Sequence, residues 1–301
     1  MNLKADLRAQ IITQLPHNRS DPTVVAELSG MSLPELLIRY YNWLHRFVRP
    51  VPRSVHYSRE FSSNALKSAH AAALAEIVDA IQKGRDLTPR LSKGIRHGYV
   101  AGSTSASSDK DPMLNDWGVH HLHLGINPDS KDTAFIERTG DLLFVIFRPT
   151  AAYVLNIFAH QTWTDRDIIR IAVNNWPRLD FFIELQGMMA PSGSGYTKAE
   201  HQKLRRAGLV VMANVDGRIF AGLGALSTAG TSIDAKRAAD DLLKRVMAFE
   251  DLSSNKRDHI AALLKKAGVT PPAVPKFEFV LLDLGYGVRE KTTGAVIILS
   301  D

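Results

Sequence analysis

Two apolar runs joined by a four-residue turn constrain this 301-residue chain more than any other feature. Residues 142–148 and 153–160 are rich in β-branched and aromatic side chains, a composition that suits a pleated, packed surface. The turn, Arg148-Pro149-Thr150-Ala151, is too short for a crossover, so the runs read as an antiparallel hairpin. A third strand-like run, 119–124, lies upstream. A helix over 168–174 lies downstream, with Thr164-Asp165-Arg166-Asp167 as its cap and Pro177 as its stop. The centre of the chain therefore reads as a small antiparallel sheet with a flanking helix.

The flanks read differently. Ser32-Leu33-Pro34-Glu35 is a capping box with proline in the first turn, opening a helix to about Val48. Leu36, Leu37, Tyr40, Tyr41, Leu44 and Phe47 recur along it at spacings of three and four. A second helix is expected from 62–64 to just before Gly84. Between the two, residues 46–56 are basic and stiffened by Pro50 and Pro52. They read as a solvated connection, with a phosphate-contacting arm as the alternative. Residues 101–112 form a small polar loop, read as a linker with a lid as the alternative.

Past residue 180 the pattern becomes α/β. Strands are expected at 181–185, 277–282 and 295–299, and a hairpin about Asp216-Gly217 joins 209–214 to 218–223. A joint at 189–195 precedes a capping box at 197–200, and helices follow at 233–250 and 255–267. The expected fold class is α+β in three parts: a helical N-terminal region (1–98), a histidine-bearing sheet domain (99–180) and a C-terminal α/β domain (181–301).

Composition removes several chemistries. There is no cysteine, which excludes disulfides, thiolate catalysis, cysteine-ligated zinc and iron–sulfur clusters. Residues 1–8 lack the apolar run of a signal peptide. No segment approaches the roughly 20 apolar residues of a membrane helix. The expectation is a cytoplasmic protein with no membrane partner. A net charge of +6 permits contact with RNA without demanding it. A homo-oligomer is compatible with the sequence.

The chemistry-bearing motif is Trp117-Gly118-Val119-His120-His121-Leu122-His123-Leu124-Gly125. Strand side chains alternate, so His121 and His123 share one face while His120, Leu122 and Leu124 share the other. The leucines suit a core, which turns the His121/His123 face outward or into a cleft. Downstream stand Arg138, Tyr153 and His160. An unbulged strand places Tyr153 and His160 on opposite faces, so His160 is the better companion for the pair. Three roles stay open. The imidazoles can act as acid and base, or His121, His123 and His160 can ligate Zn²⁺ in a hydrolase or cupin-like site. The stretch can also be no more than the polar face of a sheet.

The succession of helices, histidine strand, Arg138-bearing strand, strand ending at His160 and helix resembles the RelE/ParE-like ribonuclease toxin superfamily. The likeness is confined to the central segment. It implies a metal-independent endoribonuclease of toxin or phage-defence type, with RNA as substrate and an antitoxin or regulatory protein as partner. The catalytic set would be His121, His123, Arg138, His160 and Tyr153, with no cofactor. The alternatives are a three-histidine metalloenzyme and a non-catalytic RNA- or protein-binding regulator.

Overall fold

The structure is a computed structural model. It describes residues 2–102, 110–159, 165–188, 197, 199–200, 203–204, 207, 209, 212–223, 230–266, 268–282 and 285–299. They form a mixed α+β fold in two compact units, one made of residues 1–41 and 234–301, the other of residues 42–233. Among the described residues no helix is long and apolar enough to cross a membrane.

The first unit begins with α1 (Leu3–Gln14), α2 (Pro22–Gly30) and most of α3 (Leu33–Leu44). Leu3, Leu7 and Ile11 recur every fourth position on α1, and all are fully buried. Asn2 and Asp21 cap α1 and α2 through their side-chain oxygens. After residue 233 the chain adds the long α9 (Ile233–Asn255) and α10 (Arg257–Lys266). An antiparallel meander of β8 (Phe277–Leu282), β9 (Gly285–Glu290) and β10 (Val296–Ile298) completes the unit. Gln10 bridges α1 to β8: its amide nitrogen donates to the Phe279 carbonyl, and its oxygen accepts from Leu281 N–H at 3.1 Å. Glu290 is fully buried at the end of β9. Burial opposes its charge, but N–H groups of Lys276, Thr292 and Thr293 and the Thr293 hydroxyl outweigh it and hold the pKa below the usual range.

The second unit is built on a four-stranded sheet in the order β1–β4–β3–β2. Its strands are β1 (Ser54–Tyr57), β2 (Val119–His123), β3 (Asp141–Phe147) and β4 (Ala151–Ala159). β2, β3 and β4 pair antiparallel, with the expected hairpin at Arg148–Thr150, and β1 pairs parallel to β4. The sheet is covered on both faces, which explains why β3 reads as an unbroken apolar run. One face packs Leu122, Leu124, Leu143, Val145 and Val154 against Phe61, Ala73 and Ile77. The other packs Val119, Leu142, Phe144, Ile146 and Leu155 against Ile168, Ile169 and Ala172. The helices on the first face are α4 (Arg59–Ser62), α5 (Leu66–Ala69) and α6 (Ala71–Lys83); the sequence suggested one continuous helix across the last two. The second face carries α7 (Pro112–Trp117) and α8 (Asp165–Asn175). A smaller sheet, ordered β5–β7–β6, comprises β5 (Phe182–Glu184), β6 (Ala213–Val215) and β7 (Arg218–Gly222). Its turn has positive φ at Asp216 and Gly217, 52° and 83°, the backbone a tight hairpin requires.

Two details depart from the sequence reading. Residues 46–56 are not a solvated connection: Arg46, Val48 and Arg53 are buried, and the segment enters the sheet as β1. Arg53 donates to the carbonyls of Arg49, Val51 and Arg148 at 2.8–3.1 Å, so this guanidinium is spent on the backbone. Second, β4 carries a bulge. Phe144 pairs with Asn156 but Val145 pairs with Val154, leaving Leu155 extra. Val154 and Ile157 therefore share one face, while Tyr153, Leu155 and Phe158 share the other.

Candidate active site

The histidine strand is held at both ends. Upstream, Asp111 caps α7 by accepting from Leu114 N–H at 3.1 Å, and Pro112 occupies the first helical position. Gly118, at φ 65°, ends α7 and turns the chain directly into β2. Downstream, Arg90 reaches the carbonyls of His123 and Gly125 at 3.2 and 3.0 Å and pairs with Glu76 at 2.6 Å. Burial pulls the Arg90 pKa down, and the Glu76 carboxylate opposes that pull.

β2 then pairs His121 with Phe144 and His123 with Leu142. His121 is half-buried and His123 is 8% exposed, so the shared face borders a core and is not an open sheet surface. Their ring centroids lie 6.4 Å apart at 78°. Nδ1 of His121 faces the Asp111 carboxylate at 4.0 Å. A guanidinium nitrogen of Arg138 meets Nε2 of His123. An arginine N–H can only donate, so Nε2 is the accepting atom in this contact. Burial lowers the Arg138 pKa, partly offset by Asp129.

Arg138 arrives there because the β2–β3 loop folds back on itself. Glu137 N–H donates to the Asn127 carbonyl at 2.9 Å, and the Thr139 hydroxyl accepts from Leu124 N–H at 3.2 Å. Gly125 permits this approach: a Cβ there would sit 2.4 Å from the Glu137 carbonyl oxygen.

No family model, curated protein or solved structure matches this chain.

The structure brings His121, His123 and Arg138 together. Tyr153 is elsewhere: it pairs with Ile146, which pairs with Val119, at the opposite end of β2 from His123. Its ring stacks on His56 at 5.0 Å and meets Trp176 and Phe181 edge-on. His160, proposed as third catalytic or zinc-binding histidine, lies outside the described residues, as do residues 103–109 of the small polar loop and 189–195 of the joint. Among the described residues no three histidines, aspartates or glutamates converge as a ligand set.

Sequence reasoning missed three residues around this strand, Asp111, Arg90 and His70, and the surroundings of a fourth, His120. Asp111 and Arg90 position the histidines from distant segments, and neither lies in a recognisable motif. His120 turns its ring nitrogens into the protein, edge-on to Phe147 at 5.4 Å. Burial is the main cause that pushes its pKa down to about 4, with Asp111, His121 and His45 as charged or polar neighbours. Alternation had already placed it on the leucine face. His70, between α5 and α6, pairs with Asp141 of β3 at 2.7 Å on the opposite face of the sheet.

Proposed function

We propose that the chain is a metal-independent endoribonuclease whose acid/base pair is His121 and His123, with Arg138 as the electrophilic partner. The contact of Arg138 with Nε2 of His123 carries this reading. It presents a neutral imidazole nitrogen beside a fixed cation, which suits proton abstraction next to a phosphate. It suits zinc poorly at that nitrogen, because a metal ion there would face the guanidinium charge.

The scissile phosphate engages Arg138, which releases Nε2 of His123. That nitrogen takes the ribose 2′-hydroxyl proton as the 2′-oxygen attacks phosphorus. His121, with Asp111 as counter-ion to its protonated form, delivers a proton to the leaving 5′-oxygen as the P–O5′ bond breaks. The products are a 2′,3′-cyclic phosphate and a 5′-hydroxyl. Arg138 balances charge on the pentacovalent phosphorus. The RelE/ParE-like reading adds a cytoplasmic setting and a protein that restrains the enzyme.

The test is incubation of the full chain with RNA in EDTA, with metal content measured in parallel. Cleavage to cyclic phosphate should proceed without metal. It should fall by about 10²–10⁴-fold in His123→Ala, the range for loss of a general acid or base. Absence of cleavage, or cleavage that survives His123→Ala, would overturn the proposal. Stoichiometric zinc with activity lost in EDTA would replace it with the metalloenzyme reading.

A further inference from the structure

We propose that a second surface of residues 42–233, at the end of β1 and β4 beside the C-terminus of α8, binds single-stranded RNA. The choice of RNA as the polymer rests on the ribonuclease reading. The surface itself rests on unpaired charge and on stacked rings.

Several arginines elsewhere in this unit are paired with carboxylates: Arg85 with Asp79, Arg96 with Asp132 and Arg218 with Glu184. Arg49, Arg148 and Arg178 are exposed, and none has a carboxylate partner among the described residues. They are neighbours. Arg53 is bonded to the carbonyls of both Arg49 and Arg148. Arg148 in turn donates to the Asp180 carbonyl at 2.9 Å, two residues beyond Arg178, and lies over the Phe181 ring at 5.3 Å. A backbone carbonyl leaves a guanidinium fully charged and able to take a phosphate.

The rings stand beside these charges. His56 is exposed and stacks on Tyr153 at 5.0 Å and 17°. Trp176 and Phe181 brace Tyr153 edge-on at 5.1 and 4.9 Å. A ring stack braced from behind and flanked by free arginines is what an unpaired base and its phosphates require. A duplex hides its base faces and cannot use it. Tyr153 and the histidine pair share one face of the sheet, and Tyr153 is level with Val119. From there to the level of His123 is about 13 Å along the strands. The face between the two is packed under α8, so the surface is separate from the histidines and does not cover them.

The test uses the full chain and a short fluorescent 2′-O-methyl oligonucleotide. This probe lacks the attacking hydroxyl, so binding is read apart from cleavage. Anisotropy is measured over a salt series. Replacing Arg49, Arg148 and Arg178 together by alanine should weaken binding by about tenfold or more and lower the log–log salt slope by about two. His56→Ala should weaken binding with the slope unchanged. If the triple variant does not fold by circular dichroism, Arg178→Glu alone should weaken binding and lower the slope by about one. Unchanged affinity and slope, or a duplex bound as tightly as the single strand, would overturn the proposal. Binding that depends on the arginines in a protein that cleaves nothing leaves this surface standing and removes the ribonuclease reading. Cleavage with full binding in the triple variant does the reverse.

Discussion

His120, His121 and His123 follow one another on a single strand and meet three different environments. His121 faces a carboxylate, His123 a guanidinium, and His120 the core. The core position has a consequence for stability. With a pKa near 4 when folded and about 6.5 when unfolded, His120 binds a proton only in the unfolded chain between those values. Stability should therefore fall as pH drops from 6.5 toward 4, by roughly 2–3 kcal/mol if this group acts alone. Urea midpoints across that range should show the loss, and His120→Leu should flatten it; an equally steep profile in the variant would remove His120 as the cause. A second prediction concerns Arg90, whose guanidinium holds the carbonyls of His123 and Gly125. Arg90→Met should cost about 2–4 kcal/mol, because it strands two buried acceptors, and chemical denaturation measures it directly. Alternation separated the three histidines correctly from sequence. What stood next to each was not legible, because Asp111, Arg138 and Arg90 arrive by loop and helix geometry that no local pattern encodes.

At the level of elements, the loop between β2 and β3 turns on one residue. In Gly125→Ala the new methyl would meet the Glu137 carbonyl oxygen at 2.4 Å, so the loop must move and take Arg138 with it. Cleavage should drop by at least about tenfold, since a small misplacement of a positioned group is that costly, while the thermal midpoint changes modestly. Full activity in Gly125→Ala would mean that the Arg138 contact is dispensable. Near the site, β3 and β4 were readable because apolar runs of seven and nine residues leave few alternatives, and β2 because its leucines and histidines alternate. The missed ones have identifiable reasons. β1 is four residues long with only Val55 turned inward as a typical strand residue, and it sits among prolines and arginines. β9, Gly-Tyr-Gly-Val-Arg-Glu, carries two glycines that erase its strand signature. The β4 bulge is invisible to periodicity, which assumes one residue per step.

For the molecule as a whole, the candidate residues His121, His123 and Arg138 and the proposed RNA surface all belong to residues 42–233. Damage to the other unit should then separate stability from chemistry. Phe279 is fully buried in β8, and Phe279→Ala should cost about 3–5 kcal/mol. Under native conditions it should leave the rate of RNA cleavage unchanged. A matching loss of rate would show that the first unit takes part in the reaction. The three sequential regions, 1–98, 99–180 and 181–301, rest on composition. The pairing of α1 with β8 through Gln10 rests on contacts 269 and 271 residues apart, a distance over which sequence pattern carries no information. That pairing also sets an order of events at the ribosome. Residues 42–233 emerge complete while β8 has yet to be translated, so they can fold during synthesis, whereas α1 must wait for a partner almost a full chain length away. The unit whose synthesis starts first is the last to close.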